Sequence, residues 1–491
     1  MSEQKFKKSL NLWDSSSIII GSMIGSGIFI VSSAMSRTLG APGWLLLAWV
    51  LTGVLTVISA ISYGELAAMF PHAGGQYVYL REAYNPLTGF LYGWTVLTVI
   101  QTGTIAAVAM AFGKFMSIIF PFFSEKHILY DFGLFQFKAV HILAIGSILF
   151  LSFINTLGVK TGKIVQNTFT FTKIFVLLIF IVLGFIFLSD SPAIQANKNI
   201  FFSTDKIMVY TDNWNIPIPF LLVIAIGVSS VGSLFTCDAW NNITFASGEV
   251  INPKRTIPLS LLIGTTVVIV LYLLMNIVYM YALPLRGSPN GINEIARGIQ
   301  FAESGRVGTA AMEVLLGSSA VVLMALFVGW STFGCNNGLI LAGSRIIYAM
   351  AADGLFFKKI ATLNSKNVPA RAIVFQFFWA SILCLSGTYS DLLDYVVFAA
   401  LIFYNLTVVG IFVLRKKQPN NDRPYKAWGF PYLQIFYILV TFIILIILLV
   451  FKPHYTWPGL IIVVCGIPVY WIWKKVKKDN VDIKDIETSA N

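Results

Sequence analysis

The amino-acid sequence predicts an all-α integral membrane protein with twelve transmembrane helices. The first ten form a five-plus-five inverted repeat in which helices 1 and 6 are broken. Three observations predict this: a composition too apolar for water, apolar runs that recur from end to end, and glycine-rich interruptions at matching places in two of the runs. Of the 491 residues, 57% are hydrophobic and 11% are charged. The mean hydropathy is +0.78. A soluble domain carries about 25% charged residues.

The runs lie near Ser15–Ser36, Trp44–Ala68, Leu87–Phe112, Ala139–Phe153, Ile164–Phe187, Ile218–Ala246, Leu259–Leu283, Ala310–Leu341, Ala372–Cys384, Tyr395–Leu414, Leu433–Phe451 and Leu460–Trp473. About 20 apolar residues are needed to cross the hydrocarbon layer, and only the ninth run is clearly short. The chain divides into an N-terminal tail (1–11), a ten-helix core (12–415), two peripheral helices (416–473) and a charged tail (474–491) that reads as disordered. No cleavable signal peptide is visible at the first run.

With twelve spans, both termini and alternate loops share one side. That side holds most of the 34 Lys and Arg residues, among them Lys160, Lys163, Lys254, Arg255, Arg345, Arg415 and Lys416. The excess of positive loops places both termini in the cytoplasm, as in a multi-pass plasma (inner) membrane protein. It also accounts for the net charge of +12 without a nucleic-acid partner. The four cysteines (Cys237, Cys335, Cys384, Cys465) all lie in apolar runs. Neither they nor the four scattered histidines show metal-type spacing, so no metal or cofactor is expected. No nucleophile–base pair or clustered His/Glu/Asp set supports an enzyme.

The first interruption is the stretch GSMIGSGIF (residues 21–29). Glycine costs about 1 kcal/mol against alanine in a helix, and a loosened helix in lipid bares backbone groups at several kcal/mol each. Such a break survives where something else meets those groups. The second interruption is IGVSSVGSLFTCDAWNNITFASGEV (226–250), which opens the second set of five spans as the first opens the first set. Paired interruptions at matching positions of two halves point to a transporter site, although small residues also serve close helix packing.

If span one unwinds at Gly25, Ser26 and Gly27, the half-helix beyond begins with bare N–H groups and a partial positive end, which suits an anion. The half-helix before it ends in free carbonyls near Ser22 and Met23. Span six offers carbonyls from Phe235 through Thr236 to Asp238. N–H groups on one side and carbonyls on the other suit a zwitterion such as an α-amino acid, with Phe235 and Trp240 placed to roof it.

Asp238 is the acid read deepest in a span, where ionisable residues mark a pathway. It is placed to meet an ammonium group, a cationic side chain or a proton; the plain alternative is a carboxylate satisfied by Asn241 or Asn242. Lys173 is the base at mid-span. Its ammonium is placed at a coupling-ion position, bridging the broken span-one backbone to the hydroxyls of Ser331 and Thr332, or else serves as a structural cation. Glu249 and Arg255 flank the turn EVINPKR as candidates for an inner gate, a role that a plain surface pair matches as well. Glu65 lies near the same end.

Several stretches resemble one family in combination: IGSGIF in span one, SYGELAAMFPHAGGQYVYLREAY after span two, VQNTFTFTK in span five, LFTCDAWN in span six and STFGCNNGLILAGSRIIYAMAADG across span eight. From about Leu12 to Tyr432 the chain resembles the amino acid–polyamine–organocation superfamily, and within it the L-type amino acid transporters and their prokaryotic relatives. The resemblance implies a LeuT-like fold with two peripheral helices. It implies that Ser26, Gly27 and their neighbours hold the substrate carboxylate, that carbonyls at Met23, Phe235 and Asp238 hold the amino group, and that Phe235 gates. It also implies that Lys173 stands where sodium-coupled relatives of the fold bind an ion, which makes the chain a sodium-independent carrier. Two departures stand out. Many members have a glycine pair before the span-six tryptophan, where this chain has Asp238–Ala239; some members with an acid there accept cationic amino acids. Animal light chains bond to a glycoprotein heavy subunit through a cysteine in the loop after span three, and residues 121–138 hold none, so no disulfide-linked heavy subunit is expected. The reading is a secondary transporter of neutral L-amino acids working by exchange or proton-linked uptake. Its rivals are a carrier of cationic amino acids or polyamines and a membrane amino acid sensor.

Overall fold

A computed structural model describes residues 8–133, 136–209, 216–386 and 389–489. Residues 1–7 of the expected N-terminal tail, and the last two of the C-terminal one, lie outside that set. The first span comes in two pieces, α1 (Leu12–Met23) and α2 (Val31–Leu39), with a single 3-10 turn at Gly27–Phe29 between them; the pair is bent by 56°. Asn11 starts α1 by accepting the Asp14 N–H at 2.9 Å, while the Asp14 carboxylate accepts the Asn11 N–H at 3.1 Å. This reciprocal capping satisfies two otherwise orphaned donors. Gly40 ends α2 at φ 69°, the left-handed conformation open to a residue without a Cβ.

The second span is α3 (Pro42–Met69), followed by the short α4 (Gln76–Ala83). α5 (Pro86–Thr95) and α6 (Gln101–Met116) form one span through a π turn at Val96–Ile100. A two-stranded antiparallel hairpin, β1 (Ile128–Asp131) and β2 (Gln136–Lys138), leads to α7 (Ala139–Thr156), α8 (Val159–Phe187) and the short α9 (Pro192–Asn199). α10 (Ile218–Thr236) and the single-turn α11 (Asn242–Phe245) are separated by residues 237–241. The chain continues through α12 (Pro253–Ala282), α13 (Glu294–Arg297), α14 (Val307–Leu316), α15 (Ser319–Ala352), α16 (Ala370–Cys384), α17 (Tyr389–Lys417), α18 (Tyr432–Phe451) and α19 (Pro453–Ser489).

Three features differ from the sequence expectation. Among the described residues ten helices are long and apolar enough to cross a membrane, and the bent α1–α2 pair makes eleven. The expected ninth span is α16, whose 15 residues reach about 22 Å against the roughly 30 Å of hydrocarbon. The expected run Ala310–Leu341 divides into α14 and α15, because Gly317 takes φ 79° and stops the first of them. The charged tail read as disordered instead continues α19 to Ser489.

α3 packs along α12 and α6 along α15, while α1 is enclosed by α8, α12 and α15. That enclosure puts both interruptions at the centre of the bundle. The outer faces are apolar: on α7 and α8, Phe153, Phe171, Phe175, Val182 and Phe187 are all more than half exposed. Apolar exposure on that scale marks a surface built for something other than water. The chain is a multi-pass membrane protein, and its helices keep their backbone polar groups satisfied internally as lipid demands.

Candidate functional site

α1 ends because Ile24 leaves the helical region (φ −76°, ψ 93°) while its N–H still reaches Ile20 O at 2.9 Å. Phe29 N–H then bonds Ser26 O and Ile30 N–H bonds Gly27 O, both at 3.0 Å. The N–H groups of Gly25 and Gly27 fall between these ladders, with no hydrogen bond among the described residues. Any side chain at Gly27 would run into the Thr236 hydroxyl, and a Cβ at Gly25 would sit 3.2 Å from Cys335 Sγ. The glycines therefore do more than loosen a helix: they let the first break touch the second.

The carbonyls at the end of α1 are occupied, contrary to the expectation of free ones at Ser22 and Met23. Cys335 Sγ donates to Ser22 O at 2.9 Å, and Tyr272 Oη donates to Met23 O at 2.8 Å. Tyr272 also lies 3.3 Å from Thr236 O, so one phenol on α12 spans both breaks. Each carbonyl keeps a second lone pair for a further donor. Tyr272 was not singled out in the sequence, where its only signal is a polar tip in the apolar run of α12.

Lys173, fully buried on α8, donates to Gly21 O at 2.8 Å and Ile24 O at 2.7 Å. Ser331 donates to Ile24 O and Gly25 O, each at 3.2 Å. Thr332 instead turns to Val328 O and Gly329 O of its own helix, both at 2.9 Å. The expected bridge from Lys173 thus runs to Ser331 through the shared Ile24 carbonyl, and Thr332 takes no part in it.

At the second break the Asp238 N–H bonds Phe235 O at 3.0 Å, and Ala239 stands at φ 66°. An L-residue pays about 1–2 kcal/mol there. The Asp238 carboxylate accepts from Tyr404 Oη at 2.5 Å. Neither asparagine holds it: Asn241 donates to Gln76 Oε1 at 3.1 Å, and the Asn242 amide nitrogen has no partner among the described residues. Trp240 is buried in an aromatic cluster, its ring 4.7 Å from Tyr63 and 5.5 Å from Tyr404. Phe235 is buried at the end of α10. Between α2 and α10 lies a cavity of about 170 Å³, lined by Val31, Met35, Val228, Val231, Gly232 and Lys452 among others.

The face that carries the N-terminal stretch is closed. Glu249 pairs with Arg345 at 3.0 Å, each side chain only 1% exposed. Arg255, the residue the sequence offered opposite Glu249, lies instead in the first turn of α12, its N–H on Asn252 O at 3.1 Å. Leu10 forms a parallel bridge to Val250, and Asp14 pairs with Lys163 at 2.5 Å. Glu65 binds Arg415 through both carboxylate oxygens, at 3.0 and 2.7 Å.

Residues 10–472 match the profile of the family described as amino acid permease. The chain belongs to the amino acid permease family. The permease is 31% identical over 425 residues to the human b(0,+)-type amino acid transporter 1, covering 86% of this chain and 79% of that one. Its mouse counterpart is 29% identical over 449 residues, 91% and 84% of the two chains. The human large neutral amino acids transporter small subunit 2 is 29% identical over 469 residues, 95% and 80% of the two. The permease is accordingly a transporter rather than an enzyme. Among its described residues no group of three or more His, Cys, Asp or Glu could hold a metal ion.

Proposed function

We propose that the permease is a sodium-independent secondary transporter of neutral L-amino acids, an exchanger or proton-linked carrier that works by alternating access. The observation that carries this reading is the contact of the two helix breaks at Gly27 and Thr236. It sets the unpaired N–H groups of Gly25 and Gly27 close to the carbonyls that end α1 and α10. In this reading Gly25, Ser26 and Gly27 receive the substrate carboxylate, and the carbonyls of Met23, Phe235, Thr236 and Asp238 receive its ammonium. Phe235 and Trp240 gate the site.

Lys173 and Ser331 supply N–H and O–H donors to the α1 carbonyls, leaving a sodium ion few oxygens to bind; this supports sodium independence. The Glu249–Arg345 pair closes the N-terminal face, which we assign to the cytoplasm of a cell carrying the permease in its plasma membrane. In this reading the cavity between α2 and α10 serves the approach from the opposite face. The loop 121–138 holds no cysteine, which supports transport without a disulfide-linked heavy subunit.

A second reading, transport of cationic amino acids, is favoured by the Asp238 carboxylate; its existing bond to Tyr404 favours the neutral one. The experiment is counterflow in proteoliposomes with a panel of the twenty amino acids, with and without sodium. Neutral amino acids are expected to exchange at rates indifferent to sodium. Arginine outcompeting every neutral amino acid supports the second reading, and saturable binding with no counterflow makes the protein a sensor.

A further inference from the structure

We infer that Asp238 is a proton-binding site with its own path to the N-terminal face, a buried polar file between α3 and the peripheral helix α18. The inference rests on the transport reading above and adds to it a control of substrate affinity by the pH of one face.

The file begins at the carboxylate. Asp238 is lined on two sides by small cavities. One, about 20 Å³, is bounded by Thr56 and Ser59 of α3, Cys237, Tyr404, and Tyr437 of α18. The other, about 10 Å³, is bounded by Tyr92, Gln101, Thr104 and Asn241. A water needs roughly 10–15 Å³ of such space and two or more polar partners; the first cavity meets both conditions. The titratable groups that face Asp238 are Tyr404 from α17, Tyr437 from α18, Tyr92 from α5, Tyr63 from α3 through the Trp240 ring, Cys237 beside it, and the Cys335 thiol of α15, in electrostatic reach of both Asp238 and Lys173. The wall from α15 is Leu339. Among the described residues no Lys, Arg or His lines either cavity. A carboxylate in a membrane interior without a cation is neutralised by a proton or by an arriving ammonium.

From this cavity the polar residues of α3 continue on one face at helical spacing: Thr52, Thr56, Ser59, Ser62 and Glu65, all buried. Each meets a polar group. Thr52 shares a hydrogen bond with Ser233 at 2.7 Å. Ser59 lies near the Tyr437 hydroxyl, and among the described residues no group meets it at hydrogen-bond geometry. Ser62 accepts from Gln434 Nε2 at 3.3 Å. Glu65 ends the file against Arg415, Arg423 and the Ala427 N–H, with Tyr425 alongside. Arg415 is 28% exposed, so the file opens to solvent there. Hydroxyls that donate back to their own helix are ordinary in membrane helices, and those of Thr56 and Ser62 donate in this way. Ser59 Oγ, Tyr63 Oη and Gln434 Oε1 are different: each is buried, and among the described residues none has a partner at hydrogen-bond geometry, although Tyr437 stands near the first and Thr407 near the second. Three such groups along one file, beside a water-sized cavity and an uncompensated acid, point to a hydrated proton route. The proton passes from the Asp238 carboxyl to water in the cavity, along the hydroxyls and the Gln434 amide, and leaves as hydronium where Arg415 meets solvent; protonation runs in reverse.

Protonated Asp238 offers less to the substrate ammonium, so acid on the N-terminal face raises KM. The test is counterflow of the fastest neutral amino acid in proteoliposomes, with pH set independently on each side and protein orientation scored by protease access to the C-terminal tail. Below the titration range KM is expected to rise about tenfold per unit of pH on the N-terminal face and to ignore pH on the other. Ser59→Val with Gln434→Leu should keep counterflow and lose that response. Tyr437→Phe serves as a gentler second variant and should weaken it. KM indifferent to pH on the N-terminal face, KM that follows the opposite face, or variants that respond as wild type would overturn the inference while leaving transport intact. Absence of any counterflow would instead overturn the transport reading.

Discussion

Lys173 and Ser331 converge on one oxygen: the ammonium lies 2.7 Å and the hydroxyl 3.2 Å from the Ile24 carbonyl. That carbonyl is the first one past the end of α1. Two donors from α8 and α15 thus hold the unwound backbone in the shape that the glycines permit.

Lys173→Ala removes the donor to Gly21 and Ile24; the Ile24 carbonyl keeps Ser331, and the Gly21 carbonyl loses its side-chain partner at about 1–3 kcal/mol. The bundle buries far more than this, so the protein is expected to elute as a single species in detergent. Counterflow should fall below about a tenth of wild type, since the carbonyls at the break lose their fixed geometry. Full activity in this variant would remove the lysine from the mechanism.

Tyr272→Phe deletes one hydroxyl and keeps the ring, which packs edge-on to Trp49 at 5.7 Å. The loss of its bonds to Met23 O and Thr236 O should cost about 1–2 kcal/mol of stability. It should also uncouple the two breaks, seen as a raised KM. A change in melting temperature with KM unaltered would make Tyr272 merely structural.

Arg345→Ala leaves Glu249 buried and unpaired. Breaking such a pair from one side costs about 3–5 kcal/mol, so a steep loss of thermal stability is expected. A cysteine introduced near Leu10 should become accessible to reagent from the N-terminal face. Adding Glu249→Gln should recover part of the stability, because the uncompensated charge is then gone. A double variant as unstable as the sum of the singles would contradict the pair.

Ala239→Gly relieves a left-handed backbone position and should raise stability by roughly 1 kcal/mol, read as a higher melting temperature in detergent. An unchanged or lower value would mean that the alanine methyl makes compensating contacts.

Much of this arrangement was legible in the sequence, because the signals were local. Apolar runs of spanning length stand out against a helix rise of 1.5 Å per residue. Gly25 and Gly27 fall at the end of α1 because the same missing Cβ both weakens a helix and admits a neighbour. Lys173 was readable as a lone charge in an apolar run. What the sequence hid was the partner of each group, since partners come from helices far away in the chain. Asp238 turned to Tyr404 rather than to the adjacent asparagines, and Glu249 turned to Arg345 rather than to the near Arg255. Gly317 was one glycine among 38, and nothing local told that it would split a run in two.

The central claim is that the two breaks recognise a molecule by both of its backbone charges. The most direct measurement is competition in counterflow by three forms of one neutral amino acid: the free acid, its methyl ester and its N-acetyl derivative. The free zwitterion is expected to compete fully, and each blocked form at least about a hundredfold less well, from the loss of about 3 kcal/mol of charge-assisted hydrogen bonding. An ester or an N-acetyl derivative that competes as well as the free amino acid would contradict the account.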